Sequence, residues 1–546
     1  MMTYTKLARR ARPFLASAAL AALLSACAVT PKPLGQAELA AQAEADRKLM
    51  FGDAEPLEAP LTLPEAIARV LKHNLDQRAK LMEEALARGQ LKVDRFDLLP
   101  QLTASAGYRY RSEYNAVRSR DLFTGKPSDA NPTYSTDRNL FDADLGLTWN
   151  ILDFGVGYYN AQQNADRALI AGERRRRTAA NLIQEVRFAY WRAAAAQALK
   201  DKVSASITLA EKALADAEQV EREGLRDPVT SLQFQKTLLE SLRQLEAIQH
   251  ELAAAQAELA ALINVAPGTE IRLAVSGETA LEVPGWALTP RQMEELAFVN
   301  NPDLREQAYQ SRIAADETRK AVLRLLPGVS LNLAHKYDSN GFLYENQWNE
   351  VGVRVSWNLF NLLSAPSRIK HAKALETVTE AKRLALRMAV LAQVHVAHHQ
   401  FQAAARQYTR AEQLWQVDSR LAQSAARRQE LSAQGLIERV AAETAAISAE
   451  LRRYQSYAQL QAALGRMQSS IGVDALPATA ASHDLPALTK AIAAHLDRLQ
   501  SGDISPVAGH DGQAPSSADD LRAQVSGLVG KASQPIPVGI GLMAAS

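Results

Sequence analysis

The stretch Leu98-Leu99-Pro100-Gln101-Leu102-Thr103-Ala104-Ser105-Ala106-Gly107-Tyr108-Arg109-Tyr110-Arg111 decides the fold. After Pro100 it alternates with period two. Leu102, Ala104, Ala106, Tyr108 and Tyr110 share one side, and Thr103, Ser105, Arg109 and Arg111 share the other, as in a strand with one apolar face. Three more segments alternate the same way. Phe141, Ala143, Leu145, Leu147, Trp149 and Ile151 oppose Asp142, Asp144, Thr148 and Asn150. Val329, Leu331, Leu333 and Tyr337 oppose Ser330, Asn332 and Lys336. Val351, Val353, Val355, Trp357 and Leu359 oppose Glu350, Arg354, Ser356 and Asn358. Each segment has about 10–12 residues, which suits a tilted strand that crosses a bilayer. Nothing nearby in the sequence could cover the apolar faces. Four strands are too few for a membrane barrel, which needs about eight, and open edges in lipid cost several kcal/mol per unpaired backbone group. The chain is therefore expected to close a barrel by oligomerising, with a subunit number that the strands leave open.

The four strands form two copies of one plan. Leu98-Leu99-Pro100-Gln101-Leu102 matches Leu325-Leu326-Pro327-Gly328-Val329, and Leu147-Thr148-Trp149-Asn150-Ile151-Leu152 matches Val355-Ser356-Trp357-Asn358-Leu359-Phe360. A helical pattern precedes each first strand, Pro64 to Leu98 and Pro290 to Leu325. Their starts correspond too, Leu61-Thr62-Leu63-Pro64-Glu65-Ala66 with Leu288-Thr289-Pro290-Arg291-Gln292-Met293. A very long helical pattern follows each second strand, from about Phe154 to Gly224 and from about Leu362 to Gly435. Further helices run from about Pro228 to Ile263 and from Leu436 to Ile471. Each long helix, roughly 105 Å at 1.5 Å per residue, equals in length the two shorter ones of its half. This predicts short helices stacked end to end beside a continuous one. Gly224 and Gly435 stand where the chain is expected to reverse, because glycine tolerates the left-handed turn at a helix C-terminus. Residues 266–288, with Pro267, Gly268, Pro284 and Gly285, are read as an irregular belt around the middle of the stack.

The first residues are an address. Lys6, Arg9, Arg10 and Arg12 precede an apolar run from Phe14 to Leu24, too short to span a bilayer but within the roughly 7–15 residues of a signal-peptide core. Leu24-Ser25-Ala26-Cys27 follows and resembles a bacterial lipobox, so residues 1–26 are expected to be a lipoprotein signal peptide and Cys27 the lipid attachment site. Cys27 is the single cysteine of the chain, which excludes an intramolecular disulfide. Ala28 stands where sorting rules place Asp for inner-membrane retention, which points to the outer membrane. No later run of about 18 apolar residues offers a membrane helix.

A lipobox followed by two tandem copies of helix, strand, strand, long helix, glycine turn and helix resembles the outer-membrane factor family, the TolC and OprM type, over about Leu61 to Val473. The resemblance implies an α+β membrane protein whose four strands per protomer make a 12-stranded barrel in a homotrimer. A periplasmic α-helical barrel would continue it. It also implies a passive export conduit that joins a periplasmic adaptor protein and an inner-membrane transporter, and it implies no enzyme. On this reading residues 27–60 are a lipid-anchored tether, 61–265 and 289–474 the two repeats, and 475–546 a largely disordered tail with one amphipathic helix near Leu485 to Leu499. The other reading is a non-conducting, lipid-anchored coiled-coil protein that links the outer membrane to the periplasm.

In the family the turns at Gly224-Leu225 and Gly435-Leu436 form the periplasmic tip and dock the adaptor. Charges crowd there: Glu221, Arg222, Glu223, Arg226 and Asp227 at the first turn, and Arg427, Arg428, Glu430 and Glu438 at the second. Asp227 and Arg428 are the candidate gate charges, since symmetry would repeat any charge that faces the axis. His395, His398 and His399 share a helical face at a spacing that can bind metal. No carboxylate or Cys nearby in sequence completes a set, so they are read as surface histidines, and no metal or cofactor is expected. Arg174-Arg175-Arg176-Arg177 points around a whole helix and not along one face, which reads as a solvated helix. The formal net charge is only +2, with signs interspersed, which argues against a nucleic-acid partner. No phosphate-binding glycine loop, nucleophile elbow or catalytic carboxylate pair is present.

Overall fold

The structure, a computed structural model, describes residues 33–52, 55–57, 59–127, 131–266, 268–275, 281–429, 434–473 and 484–500. Cys27 and the signal peptide lie outside them. Two units are distinguished, 1–55 and 56–546. The first contributes one helix, α1 (Gln36–Phe51), with no buried residue.

The second unit holds α2 (Leu63–His73), α3 (Leu75–Phe96), β1 (Gln101–Tyr110), β2 (Asn139–Asn150), α4 (Ile151–Arg222) and α5 (Pro228–Leu262). The same order then repeats as α6 (Pro290–Asn300), α7 (Pro302–Leu323), β3 (Gly328–Asp338), β4 (Gln347–Ser356), α8 (Phe360–Gln429) and α9 (Gln434–Ser470). Helix α10 (Leu485–Gln500) closes the described chain. The two long helices have 72 and 70 residues, roughly 105–110 Å each.

The matched motifs act as caps. Asn150 Oδ1 accepts from the amides of Leu152 and Asp153 to start α4, and Asn358 Oδ1 accepts from Phe360 N to start α8. Thr62 and Thr289 cap α2 and α6, and Thr289 forms a full capping box with Gln292.

Each helix expected before a first strand is in fact two. Asn74 and Asn301 leave the helical region, at ψ 129° and 123°. Pro302 biases Asn301 toward extended backbone. Each asparagine then does two jobs. Its Oδ1 caps the next helix, accepting from Asp76 and Gln77 in one repeat and from Asp303 and Leu304 in the other. Its Nδ2 donates to the last carbonyls of the returning helix, Leu262 O at 3.4 Å and Ser470 O at 2.9 Å. The end of α5 is thereby clipped to the start of α3, and the end of α9 to the start of α7. Helix contacts agree: α3 and α7 flank α4 on the sheet side, whereas α5 and α9 flank it on the other, and α8 packs on α7 and then on α9. The returning helices close with matching left-handed residues, Asn264 at φ 57° and Gly472 at φ 73°. Val265 N bonds Ala260 O and Val473 N bonds Gln468 O, the six-to-one bond of a Schellman motif.

At the level of these joints the main core gathers α2, α4, α5, α8, α9, α10 and the belt. Leu61 pairs with the belt through Arg272 O and Ala274 N. Gln197 brackets Leu273 from both sides, 2.7 Å to its amide and 3.1 Å to its carbonyl. Buried tyrosines also donate to carbonyls here: Tyr190 to Leu61 O, Tyr408 to Leu281 O and Tyr457 to Glu282 O. Burial pushes the Tyr190 and Tyr457 phenols up to about 12, so they act as neutral donors. Helix α10 packs on α2 through Leu485, Leu488 and Ile492.

The arginine run corrects the solvated reading. The four residues do point around α4, and each finds a carboxylate. Arg175 reaches Glu84 on α3, while Arg174 and Arg177 reach Glu306 on α7. Arg176 bonds Glu173, which also holds Arg305. Glu84 and Glu173 are buried. These arginines staple α4 between α3 and α7 just beside the joints, since Arg176 also reaches Asn300 O.

Three outcomes follow from the joints and staples. Asn301→Ala orphans the buried Ser470 carbonyl and removes a cap, and should lower unfolding stability by about 1–3 kcal/mol in denaturant titration. Gly472→Ala sets a Cβ 2.3 Å from Asn300 C at a positive φ, and should cost at least about 2 kcal/mol in the same assay. Burial pushes the Glu306 carboxyl up, but its bonds to Arg174 and Arg177 outweigh that and hold it below the usual range. Its contribution is therefore present above the ordinary glutamate pKa and is lost as pH falls through the lowered value. The wild type should lose stability on acidification more steeply than Glu306→Gln.

Candidate functional site

The four strands form one antiparallel sheet in the order β1-β2-β3-β4, so β2–β3 pairing joins the two repeats. Register sorts the side chains onto two faces. One face carries Leu102, Tyr108, Phe141, Leu147, Trp149, Leu331, Leu333, Val351, Val353 and Val355, and it is bare: Leu102 is 67% exposed and Val351 75%. The row Ala104, Leu145, His335 and Asn349 lies abreast on this face, and there His335 Nδ1 and Asn349 Oδ1 are 2.9 Å apart. The other face is polar. Asp144 lies opposite Lys336, whose Nζ is 2.7 Å from Glu350, and Thr148 bonds Asn332. Among the described residues β1 and β4 each have an unpaired long edge. Trp357 ties the base of the sheet to the turn between α7 and β3 by donating from Nε1 to Leu325 O at 3.0 Å.

At the far end of the helices the first reversal is as expected. Gly224 takes φ 66°, and Leu225 N bonds Val220 O. Leu225 is exposed. Asp227 is the N-cap of α5, with Oδ2 accepting from Thr230 N at 3.0 Å and from Thr230 Oγ1 at 3.1 Å. Arg226 lies over the Phe234 ring at 5.3 Å.

The second reversal differs from expectation. α8 ends at Gln429 and α9 begins at Gln434, so Gly435 is the second residue of the returning helix, and residues 430–433 lie outside the described residues. Glu430 lies outside the described residues. Leu436 packs on a small core of Ala210, Ala213, Leu238, Leu242 and Val440, which ties the tip helices together. Arg428 Nε bonds Ser424 O one turn back, and no bond joins it to Asp227 among the described residues.

The histidine face has a carboxylate that sequence spacing missed. Glu294 of α6 lies 2.7 Å from His395 Nε2, while His398 contacts Gln402. Burial, then the charges of His399 and His395, push the His398 imidazole down. Among the described residues no group of three or more His, Cys, Asp or Glu side chains is placed to hold a metal. The asparagine clips also escaped the sequence reading. Their signal was an Asn-x-Asp pair at matching places, Asn74-Leu75-Asp76 and Asn301-Pro302-Asp303.

Among the described residues no helix is long and apolar enough to cross a membrane. The outer membrane efflux protein family matches residues 66–265. No curated protein matches the chain. Solved structures with the same fold include the outer-membrane channel OprN, 18% identical, covering 75% of this chain and 89% of that one at a TM-score of 0.56. The Campylobacter jejuni CmeC outer membrane channel is 13% identical, with 78% and 91% covered and a TM-score of 0.59. The Neisseria gonorrhoeae MtrE outer membrane channel, in its open state, is 18% identical, with 74% and 90% covered and a TM-score of 0.54. The family match thus covers the first repeat, and the fold shared with these channels runs through both.

Proposed function

We propose that this chain is one protomer of an outer-membrane channel that carries solutes out of the cell as the last stage of a tripartite export system. The observation that carries the reading is the sheet: four antiparallel strands with a bare apolar face, a polar face and two open edges. Such a sheet is stable in lipid only when β1 of one copy pairs with β4 of another. Three copies give twelve strands, within the range of membrane barrels, and place Asp144, Lys336 and Glu350 on the lumen. The helices continue the conduit into the periplasm, where an adaptor protein and an inner-membrane transporter join it.

The first tip turn suits docking, since a capped, glycine-closed turn presents the exposed Leu225. Asp227 and Arg428 are proposed to hold the aperture closed between protomers. Asp227 spends Oδ2 on its cap and leaves Oδ1 unengaged by the described residues. Cys27 is proposed to carry the lipid that anchors the chain, on the sequence alone, and no cofactor is proposed.

The purified protein in planar bilayers should form trimers and conduct. A strictly monomeric protein, or no conductance even after the tip charges are reversed, would favour a non-conducting anchor protein instead. Val353→Arg places a charge on the lipid face and should destabilise the assembled barrel by about 2–4 kcal/mol, read as loss of the heat-resistant oligomer band. Asp227→Asn keeps a good cap but removes the charge. It should raise open probability while leaving the melting temperature within a degree or two; unchanged conductance would leave Asp227 as a cap alone.

A further inference from the structure

The bare face of the sheet departs from its apolar pattern at one place. Leu102, Leu147, Leu333 and Val351 lie abreast. One step further from the helices come Ala104, Leu145, His335 and Asn349, and after them Ala106, Ala143, Tyr337 and Gln347. On β2 the apolar run continues from Trp149 to Phe141, about 27 Å of strand and roughly 19 Å of depth at a 45° tilt. On β3 it runs only from Val329 to Leu333, about 13 Å of strand and roughly 10 Å of depth. A membrane barrel needs an apolar band about 25 Å tall. Each protomer therefore carries a polar notch in its lipid-facing surface, on the side away from the helices.

The notch has a definite chemistry. Asn349 Oδ1 faces His335 Nδ1, so that nitrogen carries the hydrogen and donates. This leaves both N–H bonds of Asn349 Nδ2, the Nε2 of His335 and the amide of Gln347 without another partner among the described residues. In hydrocarbon each such group would cost several kcal/mol. The Nδ2 hydrogens of Asn349, with those of Gln347 one row outward, would meet a group rich in acceptor oxygens such as a phosphate. No carboxylate competes, because Asp142, Asp144, Asp338 and Glu350 belong to the opposite, polar face. Gln347 and the Tyr337 hydroxyl, one row outward, add neutral partners suited to sugar hydroxyls.

We propose that the His335–Asn349 notch seats the phosphate of a phosphorylated glycolipid in the outer leaflet, with Gln347 and Tyr337 against its sugar. The proposal rests on the reading of the sheet as a membrane barrel. The test uses the full-length protein in nanodiscs of phosphatidylcholine, doped with either bisphosphorylated lipid A or phosphatidylglycerol. Lipids retained after detergent exchange are counted by native mass spectrometry. The wild type should retain lipid A at least about five-fold more than the variant carrying His335→Leu and Asn349→Val. That variant is apolar at both positions and should keep its oligomer and an equal or higher melting temperature in pure phosphatidylcholine. Asn349→Asp, which sets a negative charge in the notch, should lose lipid A as well. Equal retention by wild type and double variant, or equal retention of phosphatidylglycerol and lipid A by the wild type, overturns the proposal. Conductance measured on the same preparations separates the two readings: a conducting channel with no lipid preference sinks the notch alone, whereas a protein that neither assembles nor conducts sinks the channel.

Discussion

The structure depends on backbone hydrogen bonds that one chain cannot make. A four-stranded antiparallel sheet satisfies its inner strands and leaves a row of amides and carbonyls along β1 and another along β4. In water such edges are tolerable. Beneath a face as bare as that of Leu102, Val351 and Val353 they lie where water is scarce, and several kcal/mol per group rules out an isolated sheet. On the proposed reading, further copies close the sheet and set the orientation of everything else: the polar face turns inward, the apolar face turns to lipid, and the helices that begin at Asn150 and Asn358 leave from one rim.

The parts legible in the sequence were those governed by periodicity and length. Strict alternation gave all four strands, because a sheet with one wet face and one greasy face admits no other pattern. The long helices were equally plain, and the match between Trp149-Asn150 and Trp357-Asn358 was a match of caps. Local chemistry was harder to see when its partner was remote. Asn74 and Asn301 look like ordinary helix residues until the ends of α5 and α9, far away in sequence, arrive to accept their second bond. The Arg174 to Arg177 run was correctly read as splayed around its helix, yet its carboxylates sit on α3 and α7 and spacing along α4 cannot reveal them. Gly435 misled for a related reason. The first repeat turns on a glycine, whereas in the second the long helix ends six residues before Gly435, which already belongs to the returning helix.

The repeats also show which features answer to physics and which to descent. Asn264 and Gly472 differ in type but share a left-handed conformation, a Schellman bond and a following valine. Either residue tolerates that backbone, so the position demands a conformation and not a side chain. Gly472 carries a further demand, because the Asn300–Asn301 peptide presses directly on it. Glycine serves there as a seat for the neighbouring joint.

Those joints have a mechanical meaning. Of the columns that run from the sheet to the tip, α4 and α8 are unbroken rods, while the other two are each assembled from two pieces held by a single asparagine and its packing. A rod resists bending along its whole length, whereas a jointed column can pivot where it is clipped. The arginine staples lie beside the joints on the sheet side, while Lys202–Glu450 and Arg453–Glu412 link the helices on the side toward the tip. The plan thus resembles splinted joinery: two continuous rods run past the level at which the other columns are pieced together, and each rod carries its neighbours across the seam.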